Sequence, residues 1–180
     1  LRCPDGRTVL VMAGTESAFM PLGLEGHVTD ATDLRHAIYG TQDATTIQIL
    51  KDQGAKVFIA HTEEWPVQDV VDFDLDGIEI YNLHFNMLDE ANKLAELMIA
   101  MILEDSPTAE AEVALTVVFA ENPTDLATWA TALQTKRLPG ILATDAHQNV
   151  AGEIIPDGER FDSFRRLMRW FSNHVLVPPD

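Results

Sequence analysis

The chain has 180 residues, 46% of them hydrophobic, and carries 29 acidic against 12 basic side chains, a formal net charge of −17. That imbalance excludes nonspecific nucleic-acid binding, which rests on neutralising phosphates with Lys and Arg, and it disfavours a polybasic membrane contact for the same reason. A single cysteine, Cys3, excludes an intrachain disulfide and leaves the redox compartment open.

The longest apolar stretch, Leu97 to Leu103, falls far short of the ~20 residues of a membrane span. The chain starts at Leu1, not Met, and strand-like sequence begins at Thr8, so the expectation is a processed chain or a fragment. Any signal segment would precede Leu1, and a soluble protein, cytoplasmic or exported, fits equally.

Short apolar runs that suit buried strands alternate with segments of helical periodicity. Thr8–Ala13 reads as a strand ending at Gly14-Thr15-Glu16, and a looser segment leads to Gly26-His27-Val28. Thr41 to Gln53 reads as a helix with Ile47 and Leu50 on one face and Gly54 as its stop. Lys56–Ala60 reads as a strand ending at His61, Pro66 opens a short helix, and Gly77–Tyr81 is a further strand. Leu88, Ala91, Leu94, Ala95, Met98 and Ile102 recur at helical spacing. Ser106-Pro107 restarts a helix through Ala120 and Asn122-Pro123 one through Lys136, with proline at the first helical position, where its missing N–H is not needed. Gly140–Thr144 is an apolar strand closed by Asp145-Ala146-His147. A last helix, Phe161–Phe171, is expected to turn Phe161, Phe164, Leu167, Met168 and Phe171 inward and Arg165, Arg166 and Arg169 outward, before a final strand at His174–Val177.

This alternation argues for an α/β fold with mostly parallel strands. About five strands can be counted where a complete eight-stranded barrel takes ~250 residues, so an incomplete or distorted barrel is expected. No internal repeat or linker divides the chain, and one domain over residues 1–180 is the expectation.

In barrel-like α/β folds the chemistry sits where strands end. Residues two apart in extended backbone face the same side, so Asp145 and His147 are expected to converge. A carboxylate oxygen with an imidazole nitrogen suits a divalent ion such as Zn, Mn or Fe. Glu16, His27 and His61 stand at or beside other strand ends. Singly, each has a plainer reading: Glu16 as an exposed loop carboxylate, His61 as a satisfied histidine. Glu79 opposes Ile78 and Ile80 across its strand and is expected to have a cation, metal or hydrogen-bond partner, because an unpaired buried carboxylate is costly. His84 and Asn82 lie just beyond it. His36 and His174 read as structural, Glu63 and Glu64 as solvated, and Trp65, Trp129 and Trp170 as packing. Ligand-type side chains at successive strand ends, taken together, favour a site.

Taken in order, Gly14-Thr15-Glu16, Gly26-His27-Val28, Ile59-Ala60-His61, Gly77–Asn82 and Ala143–His147 make the chain resemble the PHP (polymerase and histidinol phosphatase) superfamily, and most closely its CehA/McbA-like metallohydrolase branch. The resemblance implies a distorted (βα)7-type barrel, incomplete here, with two or three divalent ions (Zn, Mn or Fe) at the strand C-termini. It implies hydrolysis of a small-molecule substrate by metal-activated water, with a phosphoester as the leading substrate. By position it implies Glu16, His27, His61, Asp145 and His147 as metal ligands, Asp145 and His147 also in the catalytic role, and Glu79 and His84 at the site's edge. The family opens with a His-x-His strand that this sequence lacks, so those ligands are expected to precede Leu1.

The same chemistry serves ester and carbamate bonds, and the branch includes carbamate-type hydrolases. Arg35, Arg137 and Arg160 are the candidates for a phosphate clamp. A noncatalytic, degenerate binding or scaffold module is the rival from another class, supported by the missing His-x-His pair. Neither reading involves nucleic acid or a membrane span, and both leave substrate, metal identity and oligomeric state open.

Overall fold

The computed structural model describes residues 2, 4–8, 17, 19–103, 111–149, 152 and 158–174. Their elements run β1 (Met20–Leu22), α1 (Thr32–Tyr39), α2 (Ala44–Asp52), β2 (Lys56–Ile59), α3 (Val67–Asp72), β3 (Gly77–Asn82), α4 (Leu83–Asp89), α5 (Ala91–Leu103), α6 (Ala111–Leu115), α7 (Pro123–Ala132), β4 (Gly140–Ala143) and α8 (Phe164–Leu167). The chain is α/β. Its four strands form one mostly parallel sheet in the order β1-β2-β3-β4, which does not close among the described residues. No helix among them is long and apolar enough to cross a membrane.

The strand expected at Thr8–Ala13 lies, beyond Thr8, outside the described residues, as do Glu16, Pro107 and residues 175–177. The chain packs as two compact units, one of residues 1–78 and 128–139, the other of residues 79–127 and 140–180.

In the first unit the helix expected at Thr41–Gln53 is α2. Asp43 caps it by accepting from the Thr46 N–H at 2.7 Å, which satisfies a donor the helix start would otherwise leave orphaned. Ile47 and Leu50 are buried on its inner face. Gly54 ends it with a φ of +83°, and a Cβ there would stand 2.9 Å from Glu25 Cγ. The chain then enters β2, which pairs parallel with β3 (Phe58↔Gly77, Ile59↔Ile78) across the α3 crossover. Gly77 is required at the start of β3, because a Cβ would fall 2.2 Å from Phe58 Cε1.

Strand β1, not anticipated from the sequence, runs antiparallel to β2 (Met20↔Phe58, Leu22↔Lys56). Phe19, Trp65 and Phe73 stack their rings with centroids 5.2–6.2 Å apart, so Trp65 is core packing as expected. Lys136, expected in the last turn of a helix, lies past the end of α7 and donates from Nζ to the Phe73 carbonyl at 2.5 Å.

The second unit is built around Leu83, Met87, Leu94, Met98, Ala114, Leu115, Val118, Phe161 and Leu167. The Tyr81 hydroxyl donates to the Val118 carbonyl at 3.0 Å, and burial raises its pKa above the ordinary phenol value. Asn86 Nδ2 donates to the carbonyls of Val118 and Ala120, satisfying backbone that no ladder covers. The C-terminal helix departs from expectation. Only Phe164–Leu167 is helical, Phe164 and Met168 are exposed, and Arg166 is buried. Phe161 and Leu167 are buried and Arg165 and Arg169 exposed as expected, whereas Phe164, Met168 and Arg166 reverse the expectation, because a four-residue helix does not carry the helical period across the whole segment. Ser163 caps the turn, accepting from the Arg166 N–H, and the Arg166 guanidinium lies 3.6 Å from the Glu159 carboxylate.

Candidate metal centre

The centre is assembled within the second unit from the end of one strand, the start of one helix and one turn. β3 passes into α4 without a connecting loop. Asn82, its last residue, therefore serves as the helix cap, and its Oδ1 accepts from the Phe85 N–H at 2.8 Å. His84 follows in the first turn of α4. From the other side β4 ends at Ala143, and the turn after it carries Asp145 and His147.

Asp145 is the hub. Its Oδ2 lies 3.2 Å from His84 Nδ1 and accepts from Asn82 Nδ2 at 3.2 Å, while its Oδ1 lies 2.5 Å from His147 Nε2. The two imidazoles thus approach different oxygens of one carboxylate, with ring centroids 5.1 Å apart. The ligand atoms of His84, Asp145 and His147 all lie within 4.8 Å of one another. Burial is graded, with side chains of Asp145 and His84 at 9% and 15% exposed and that of His147 at 38%. A cation held here would have a covered floor and an open approach beside His147.

Convergence of Asp145 and His147 does not arise from strand periodicity. Asp145 has a φ of 46° and Gln148 one of 56°, both in the left-handed region. The backbone turns at Asp145, and that turn folds His147 back onto the carboxylate. Asp tolerates this conformation better than most residues with a Cβ.

The remaining expected ligands are placed as follows. Glu16 lies outside the described residues. His27 is exposed in the loop after β1, and no group of three ligand-type side chains among the described residues includes it. His61 follows β2 with a φ of 50°, its Nδ1 3.1 Å from Glu63 Oε1. Glu63 is therefore a partner of His61, with a side chain 11% exposed, and not the solvated carboxylate expected. Glu79 is buried within β3. His84, expected only at the edge, is one of the three converging side chains. Asn82 was visible in sequence as part of the strand motif, but its double role as helix cap and donor to Asp145 was not inferred. The signal was present: an Asn at the junction of an apolar strand and a helix is a preferred cap.

Two imidazole nitrogens and one carboxylate oxygen form a donor set suited to Zn, Mn or Fe. The residues present are compatible with such an ion on three counts: ligand type, ligand atoms within 4.8 Å of one another, and a carboxylate oriented by a neighbouring amide. The chain matches no family model, no curated protein and no solved structure.

Proposed function

We propose that this protein is a metal-dependent hydrolase that holds a divalent cation through His84, Asp145 and His147. The observation that carries the reading is the convergence of two imidazoles on one largely buried carboxylate, with the His147 imidazole partly exposed. Catalytic metal sites commonly have three protein ligands and an open position, as this donor set would. A divalent ion bound there would supply Lewis-acid activation of water and neutralise charge developing on a phosphoryl or carbonyl oxygen.

The chain's own residues have distinct parts in this scheme. His84 and His147 would bind a metal through an unprotonated ring nitrogen, in competition with the contacts both now make to Asp145. Asn82 holds Asp145 from beneath through Nδ2. The partial exposure of His147 leaves that side of the centre accessible to solvent. A phosphoester is the leading substrate on the PHP-like order of motifs, with an ester or carbamate as the alternative. The same reading takes the four-stranded sheet as part of a distorted PHP-type barrel, supported by Asp145 and His147 lying just past the end of β4. The proposed metal ligands and Asn82 all belong to the second unit.

The test is elemental analysis of the purified full chain together with turnover of p-nitrophenyl phosphate, a carboxyl ester and a carbamate. The expected result is Zn, Mn or Fe near stoichiometric occupancy and hydrolysis of at least one substrate, both lost in the double variant Asp145→Ala, His147→Ala. A metal-free protein, or turnover untouched by the double variant, would overturn the proposal.

A further inference from the structure

Arg160 was one of three arginines that the sequence offered for gripping a phosphate, yet its donors point into the protein's own framework. Nε and Nη2 donate to the two carboxylate oxygens of Asp162 at 3.0 and 3.2 Å. Asp162 is 1% exposed, and a carboxylate so deeply buried needs a paired cation. The two-point pairing fixes the plane of the guanidinium. So oriented, Nη2 also donates to the Gln148 carbonyl at 2.6 Å.

Gln148 directly follows His147. Its left-handed φ of 56° is unfavourable for a residue with a Cβ, and Asp145 at 46° adds a second such position three residues earlier. Conformations of this kind persist only where the surroundings impose them. The charge-assisted bond from Arg160 falls on the carbonyl that closes this turn, and its other end is anchored in the interior at Asp162. A second tie runs beside it, from the Phe161 N–H to the Gly152 carbonyl at 3.1 Å.

We propose that Arg160 is a positioning residue which, anchored by buried Asp162, clamps the Gln148 carbonyl and holds the Asp145–His147 turn in its metal-accepting conformation. The inference rests on the metal reading of His84, Asp145 and His147. It gives Arg160 a role in the affinity and geometry of the centre and removes it from the substrate-binding candidates, since Asp162 already neutralises its charge.

The experiment titrates the full chain with Co2+, following its visible absorption bands, in the wild type and in Arg160→Ala, Arg160→Met and Arg160→Lys, with circular dichroism confirming the fold of each. Loss of partners that orient metal ligands typically costs about 10- to 100-fold in metal affinity. Arg160→Ala and Arg160→Met are expected to weaken Co2+ binding by that order and to alter the band pattern at saturation. Arg160→Lys, which keeps one charged donor, should restore part of the affinity. If the alanine variant does not fold, the methionine variant, which keeps the stem and removes every donor, decides in its place. Wild-type affinity and an unchanged spectrum in a folded Ala or Met variant overturn the positioning role and leave the metal reading intact. A wild type that binds no Co2+ overturns both.

Discussion

Asn82 joins two functions in one buried side chain. Its oxygen caps α4 and its amide nitrogen donates to Asp145. The two can be separated by substitution. Asn82→Ala removes both and should lower the unfolding free energy by about 1–3 kcal/mol, from the lost cap and the lost donor to a mostly buried carboxylate. Asn82→Asp keeps the cap acceptor but sets a second carboxylate against Asp145. In chelator it should therefore be destabilised through like-charge repulsion, and a divalent cation should recover much of the loss. Urea denaturation with EDTA and with Zn2+ measures both. Equal stability of Asn82→Asp in the two media would remove the argument. At this scale Asp145 and His147 were legible as a pair because their residue types are rare at strand ends except for a reason. The means by which they meet was not legible, since a left-handed turn at a non-glycine residue leaves little trace in sequence. The approach of His84 to Asp145 was less legible, because His84 stands in the first turn of α4 and carries no strand-end signal.

Among the elements, the parallel β2–β3 pair depends on Asp76. Its backbone N–H donates to the Val57 carbonyl at 2.8 Å, while its carboxylate accepts from the Val57 N–H at 3.0 Å and from Lys56 Nζ at 3.1 Å. Lys51 Nζ lies 3.5 Å away. Burial alone would raise this carboxyl, but the Val57 N–H and the two lysines outweigh it and hold the group below its ordinary value of 3.8. A folded-state pKa below the unfolded one means stability that is present above the unfolded value and lost as pH falls through the folded one. Asp76→Asn should therefore cost about 1 kcal/mol at pH 7, a figure kept low by solvent screening of the partly exposed pair. The difference from wild type should narrow as acidification carries the pH through the lowered folded-state value and the native carboxylate is itself protonated. Denaturant titrations at pH 7 and through the acid range test this, and a pH-independent difference would refute it. The pair itself was readable, since Lys56–Ile59 and Gly77–Asn82 are apolar runs bounded by charge or glycine. Helix α1 was not: Leu34, Ala37 and Ile38 recur at helical spacing, but the stretch is only eight residues long and none of it is buried. β1 was missed as a strand of only three residues containing Pro21, a form typical of sheet edges. The C-terminal helix departs in the opposite way: its apolar period runs over Phe161–Phe171, yet only Phe164–Leu167 is helical and Arg166 is buried within it.

The molecule as a whole carries a formal net charge of −17, so like-charge repulsion acts on the folded state whatever its local pairings. Several cations are already committed: Lys51 and Lys56 to Asp76, Lys93 to Glu90, Arg160 to Asp162, and Arg165 to Glu159. Arg160–Asp162 apart, whose carboxylate is buried, such exposed or half-exposed pairs contribute only ~0–1 kcal/mol each, and salt weakens them. Repulsion among the excess carboxylates is weakened by the same salt, with the opposite effect on stability. The excess should win. Raising ionic strength from ~0.01 to ~0.15 M shortens the screening length from ~30 to ~8 Å. Tm at pH 7 should then rise by a few degrees, since about 1 kcal/mol corresponds to roughly 2–4 °C for a chain of this size. EDTA in every sample keeps divalent ions out of the comparison. The rise should shrink at mildly acidic pH as ordinary carboxylates take up protons. Glu159 is an exception, held at about 2 by hydrogen bonds from Arg165 and then Ser163. Its contribution is complete above the ordinary value of 4.5 and disappears only as pH falls through about 2, so its ion pair outlasts the repulsion it is weighed against. A Tm at pH 7 that is flat or falls with NaCl would show that the ion pairs outweigh the net charge.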